Sequence, residues 1–201
     1  MIDSQTIQAL RAQTGAGIVD CKNALTETNG DVAKAAEILR KKGIAKAGSK
    51  GERATKEGLV HAYIHGGGKV GVLVEVQCET DFVARTEGFQ AFVGDVALQI
   101  AAMNPLYVSR DQVPAEVIEK EKEIVMAEFA GSPKPKEVIE KIAIGKLDKY
   151  FSEVCLLDQA FIKDEDITVG DLLKQSIAKT GENTKIVRFA RFAMGEGPSA
   201  C

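Results

Sequence analysis

The sequence predicts an α+β fold: a small N-terminal three-helix module joined by a linker to a core of antiparallel sheet, about three strands, covered by helices. Three observations carry this. A cap residue, a short amphipathic run and a glycine stop recur through Gly43. Two β-rich runs then flank a glycine turn, and after them comes a long apolar stripe at three- and four-residue spacing.

Asp3 or Ser4 caps a first helix in which Ile7 and Leu10 share a face. Ile18, Cys21 and Leu25 mark the second, and Asp31, following Asn29-Gly30, opens a third through Val32, Ala35, Ala36 and Leu39. Residues 1–43 thus form a module with little core of its own, a size that suits docking. The stretch 44–57 reads as a basic flexible linker, loosened by Gly48 and Gly51 after Gly43 ends the third helix. The core is expected over 58–201. Leu59–Ile64 and Lys69–Gln77 flank His65-Gly66-Gly67-Gly68, the pattern of an antiparallel hairpin. Cys78 to Glu87 reads as a loop. Phe89, Phe92, Val93, Val96, Ile100 and Met103 then give a helix that ends before Pro105 and covers one face of the sheet. Pro114 starts another helix through Phe129, and Gly131 to Pro135 separates it from a further helical stretch to Tyr150 or beyond. Asp171–Lys179 is helical. In Lys185–Met194, Val187 and Phe189 alternate with Arg188, a third strand returning to the sheet.

Composition narrows the function. Apolar residues make up 45% and charged residues 27% of 201, an ordinary globular balance. The longest apolar runs, such as Val70–Val76, are too short to span a bilayer, so no membrane association is expected. Met1 followed directly by the helical module favours the cytoplasm. Cys21, Cys78, Cys155 and Cys201 form no CxxC pair and have no histidine at ligand spacing, so neither a metal site nor a disulfide framework is signalled. Cys201, beyond Gly195, Gly197 and Pro198, is the one placed for oxidation to a partner chain.

The net charge of −3 conceals an asymmetry: ten Lys or Arg against six Asp or Glu through Lys56, sixteen against twenty-three afterwards. Arg40, Lys41, Lys42, Lys46, Lys50, Arg53 and Lys56 carry the excess. They have the density to neutralise phosphates, yet the stretch holds no aromatic for base stacking, so a solvated linker is favoured and no direct nucleic-acid binding is expected. Gly66-Gly67-Gly68-Lys69 joins two strands and is followed by Val70, which fits a turn and not a phosphate loop. His61 and His65 have no nucleophile in a recognisable context, and the run Asp164-Glu165-Asp166 reads as a solvated acidic loop. No catalytic constellation emerges, no cofactor is called for, and the chain is not expected to be an enzyme. In Thr80-Asp81-Phe82-Val83-Ala84-Arg85, composition alone favours Phe82 folding back into the core.

Two long stretches change that balance. Leu10-Arg11 with Thr14-Gly15-Ala16-Gly17-Ile18-Val19-Asp20-Cys21-Lys22-Asn23-Ala24-Leu25, and Glu75-Val76-Gln77-Cys78-Glu79-Thr80-Asp81-Phe82-Val83-Ala84-Arg85, resemble elongation factor Ts. The likeness continues through Gly88–Phe92 and Lys134-Pro135-Lys136 to Gly195-Glu196-Gly197, with Gln77 in place of the family's usual asparagine. The resemblance implies a UBA-like module over 1–43, a core and dimerisation domain over 58–201, and a guanine nucleotide exchange factor for elongation factor Tu. It implies that Thr80, Asp81, Phe82 and Val83 dislodge Mg²⁺ from that partner, with Phe82 the wedge and Asp81 its positioning partner. It further implies that Arg11, Ile18, Val19 and Lys22 contact the same partner domain and that Tyr63, His65 and Gly66 face a second one. One hairpin-helix unit, where longer relatives carry two, implies a homodimer. A ribosome- or RNA-binding accessory using Arg40–Lys56, and a small-molecule enzyme around His65, stand as the alternatives.

Overall fold

The computed structural model describes residues 2–48, 50–129 and 135–197. Met1, Gly131, Lys134 and Cys201, all drawn on above, lie outside the described residues. Three helices open the chain: α1 (Ser4–Thr14), α2 (Ile18–Glu27) and α3 (Val32–Gly48). The Asp3 carboxylate accepts from the Thr6 N–H at 2.7 Å, capping α1, and Gly15 closes it at φ 68°. Leu10, Cys21, Ala24, Leu25, Ala35 and Leu39 form a small core of their own.

The strands β1 (Glu57–His65), β2 (Val70–Cys78) and β5 (Thr184–Ala193) make an antiparallel sheet in the order β1-β2-β5. Gly66, Gly67 and Gly68 all have positive φ, a turn that side chains with a Cβ strongly resist, so the glycine run dictates the hairpin. Alternate residues of β2, namely Val72, Val74, Val76 and Cys78, are buried against Phe89, Phe92, Val93, Val96 and Ile100 of α5 (Glu87–Met103). The stripe read from the sequence is the face α5 buries, apart from Met103, which the sequence reading placed on it and which is exposed at the last turn of the helix. Helices α6 (Ala115–Glu128) and α7 (Lys136–Val154) pack together, with Val113, Phe151 and Cys155 at their base. A small hairpin, β3 (Ala160–Phe161) with β4 (Asp164–Thr168), precedes α8 (Val169–Thr180).

Four details depart from the sequence reading. The third helix runs through Gly43 to Gly48. Gly43 is a packing residue: a Cβ there would stand 2.9 Å from the Ala178 Cβ of α8, so the missing side chain lets two helices meet. The acidic run Asp164-Glu165-Asp166 lies on a strand, its side chains exposed. In β5 the register shifts opposite Glu75/Val76, and the extra residue brings Ile186 to the core beside Phe189 in place of Val187. Finally, the segment after β2 is not all loop but contains a one-turn helix, α4 (Asp81–Ala84).

Candidate partner-docking site

Thr80 is extended, and its hydroxyl accepts from the Val83 N–H at 3.4 Å, capping α4. Asp81 opens the turn and pairs with Arg85 at 2.8 Å. Both side chains are solvated, so this pair adds little stability. Val83 packs on the main core and Ala84 is buried, which fixes the inward side of α4. Phe82 therefore points outward and is 78% exposed. The composition-based expectation that it folds back into the core is wrong: Val83 and Ala84 already occupy the inward positions of a turn too short to bury a third apolar side chain.

The turn between α8 and β5 holds this segment. Both Glu182 carboxylate oxygens accept from Thr80, one from its N–H at 2.9 Å and the other from its hydroxyl at 2.7 Å. The Cys78 thiol donates to the Thr80 carbonyl at 3.1 Å; burial, with the Glu182 charge after it, pushes that thiol's pKa up and keeps the proton in place. Asn183 is buried, and its N–H donates to Glu79 Oε1 at 2.6 Å while its amide donates to the Gly51 and Arg53 carbonyls. The Asn183 N–H, and more weakly Arg53, hold the Glu79 carboxyl below the usual glutamate range. Lys50 Nζ reaches the Gly181 carbonyl at 2.7 Å. Neither Glu182 nor Asn183 was singled out from the sequence. Nothing in their local pattern signals a partner a hundred residues earlier.

In the N-terminal module, Ile18 and Val19 open α2 and are exposed, with Lys22 one turn further on and Arg11 exposed on α1. Two bare aliphatic side chains at a helix start are an unburied apolar patch with a cation beside it. At the far end of the hairpin the Tyr63 hydroxyl lies 2.8 Å from His65 Nδ1, and the two rings stack with centroids 5.8 Å apart. Gly66 follows at φ 60° and is exposed. The structure thus places the sequence-derived residues in three groups, on α4, on the α1–α2 corner and at the hairpin tip; Arg11, Ile18, Val19, Lys22, His65, Gly66 and Phe82 are exposed, while Thr80 and Asp81 are half-buried and Tyr63 and Val83 pack on the main core. On the sheet face away from α5, Val60, Ile64, Leu73 and Phe192 are exposed, Phe192 at 73%. Among the described residues no group of His, Cys, Asp and Glu side chains is arranged to hold a metal ion, and no helix is long and apolar enough to cross a membrane.

What these features define is an α+β chain with a helical head, whose distinctive residues are apolar side chains left exposed on short helices and on one sheet face. A family model described as Elongation factor TS matches residues 22–196. Among curated relatives, the chain is 59% identical over 197 residues to "Elongation factor Ts" of Carboxydothermus hydrogenoformans, covering 98% of this chain and 91% of that one. It is 57% identical to "Elongation factor Ts" of Caldanaerobacter subterraneus subsp. tengcongensis, covering 98% of each, and 55% identical to that of Moorella thermoacetica, covering 98% and 97%. The chain belongs to the elongation factor Ts family and is a translation elongation factor.

Proposed function

We propose that this chain is the guanine nucleotide exchange factor for elongation factor Tu, binding the GDP-bound partner, dislodging its Mg²⁺ and promoting GDP release through the Thr80–Val83 loop. The observation that carries the reading is Phe82, a large apolar side chain left 78% exposed on a turn whose neighbours are pinned to the core. The backbone that carries it is already anchored, so insertion has only the side chain itself to order. Exchange is then a matter of linkage: a factor that prefers the nucleotide-free partner weakens nucleotide binding by the same ratio, about 1.4 kcal/mol per tenfold. Magnesium compensates the phosphate charge, so disturbing its coordination loosens the nucleotide without contact to it. The chain makes and breaks no bond in this scheme and is not an enzyme. Arg11, Ile18, Val19 and Lys22 supply a second contact to the partner, and Tyr63, His65 and Gly66 a third.

The exposed sheet face supports the homodimer. Val60, Ile64, Leu73 and Phe192 form an apolar strip broken by the Glu75–Arg188 ion pair at 2.7 Å, a mixture that suits an isologous contact between two copies. Action in the cytoplasm, where translation elongation takes place, completes the reading.

The test is release of a fluorescent GDP analogue from elongation factor Tu, with the chain in catalytic amounts. Burying Phe82 in the partner is worth about 1.5–3 kcal/mol, so Phe82→Ala should slow catalysed release by about ten- to hundredfold. Because the side chain is solvated in the free chain, the same variant should unfold within about 0.5 kcal/mol of wild type. No acceleration by wild type would retire the exchange reading, and equal rates for the two chains would retire Phe82.

A further inference from the structure

A one-turn helix cannot hold its own orientation: it has too few internal hydrogen bonds to offset the cost of fixing its backbone. The direction of Phe82 is therefore set by what anchors α4. On the inward side those anchors are Val83 and Ala84. At its N-terminal end every polar atom of Thr80 is engaged: the N–H and hydroxyl by Glu182, and the carbonyl by Cys78 Sγ at 3.1 Å and the Ala84 N–H at 3.3 Å.

We infer that Glu182 is a positioning residue for nucleotide exchange, aiming Phe82 by clamping Thr80 from the α8–β5 turn; this rests on the exchange reading above. A carboxylate suits the task because two oxygens meet two donors of one residue, and charge-assisted bonds are the stronger kind. The clamp has a stiff base. Gly181 closes α8 in the left-handed conformation, β5 begins at Thr184, and between them Asn183 is tied to Glu79, Gly51 and Arg53. With Glu182 removed, the Thr80 hydroxyl can still cap Val83 and the Val83 and Ala84 contacts remain, so the turn survives but its N-terminal end loses the restraint that limits its swing. The wedge then has to be ordered during insertion, and that cost falls on the release step. The α2 and hairpin-tip groups are untouched, so the concentration needed for half-maximal effect should hold.

The experiment is stopped-flow release of a fluorescent GDP analogue from elongation factor Tu over a range of factor concentrations. Wild type, Glu182→Ala, Glu182→Gln, Thr80→Val and the Glu182→Ala/Thr80→Val double variant are compared, each checked by thermal unfolding and by amide hydrogen exchange over residues 79–85. For Glu182→Ala the expectation is a maximal rate lower by about tenfold with the half-saturating concentration within about twofold, and faster amide exchange confined to that segment. Glutamine has one carbonyl oxygen for two donors and should recover only part of the rate. The double variant should fall by less than the product of the two single effects, because both remove the bond between the Thr80 hydroxyl and Glu182. If Glu182→Ala fails to fold, Glu182→Gln carries the comparison. Wild-type maximal rates in both Glu182 variants, or a defect seen only in half-saturation, would overturn the positioning role while leaving exchange intact. Absence of acceleration by wild type would overturn both.

Discussion

Replacing Gly43 by alanine sets two effects of known sign against each other. In an exposed helix interior Gly→Ala is stabilising, by about 1 kcal/mol from backbone entropy. Here the new Cβ would stand 2.9 Å from the Ala178 Cβ, whereas carbon atoms rest about 3.5–4.0 Å apart. The helices α3 and α8 must therefore separate by several tenths of an ångström or more, and overpacking of this kind costs about 1–3 kcal/mol. The net expectation is a loss of about 0–2 kcal/mol, or a Tm lower by up to about 8 °C for a chain of this size. Ala178→Gly separates the terms. Alone it costs about 1 kcal/mol of helix propensity, but in the double variant it removes the clash and should bring stability back near wild type. Urea and thermal unfolding of the four chains give a coupling energy equal to the clash, about 1–3 kcal/mol. If Gly43→Ala instead stabilises the chain and adds independently to Ala178→Gly, the close approach of α3 and α8 is not a feature of the folded protein.

Two further expectations test other parts of the structure. Thr184 is buried on β5 and its hydroxyl has no hydrogen-bond partner among the described residues, so Thr184→Val, which keeps the shape and removes a stranded polar group, should be neutral or stabilising by up to about 1 kcal/mol; a loss greater than that in urea unfolding would mean the hydroxyl is satisfied. Leu73 is exposed at the middle of the apolar sheet face, so wild type should sediment at twice the chain mass and Leu73→Lys at the monomer mass. Monomeric wild type at tens of micromolar would remove the dimer.

How far the sequence disclosed the fold depended on whether the signal was local. The α5 stripe repeats with the helix period over four turns, and three consecutive glycines between β-rich runs leave one reasonable geometry, so the core hairpin and its covering helix were legible. Gly43 was not, because a glycine that ends a helix and one that admits a neighbouring helix look alike until Ala178 is brought against it. The β5 bulge was hidden for a related reason: an extra residue changes which side chains face inward without changing the composition, and Val187 is as apolar as Ile186. Beta strands β3 and β4 escaped notice since one is two residues long and the other begins with three exposed carboxylates. Of the candidate site, Thr80–Val83 and the α2 residues were recognised by likeness to a family, while composition alone pointed Phe82 inward. The polar clamp behind it, Glu182 and Asn183, depends wholly on tertiary contact.

Helix α8 has an unusual share of these contacts. Its last turn carries Ala178 against Gly43 of the head, and the turn that follows it grips residues 50–53 and Thr80 together. A ligand with two attachment points on a floppy tether must search for the second after the first is made, at a rate set by the volume the tether allows. A chain whose head and wedge are braced to the same rod skips most of that search. If the α2 patch and Phe82 dock as proposed, the local concentration of Phe82 at its target is fixed by the geometry of the rod rather than by the length of the connecting chain, and lengthening residues 50–56 should matter less than loosening the braces.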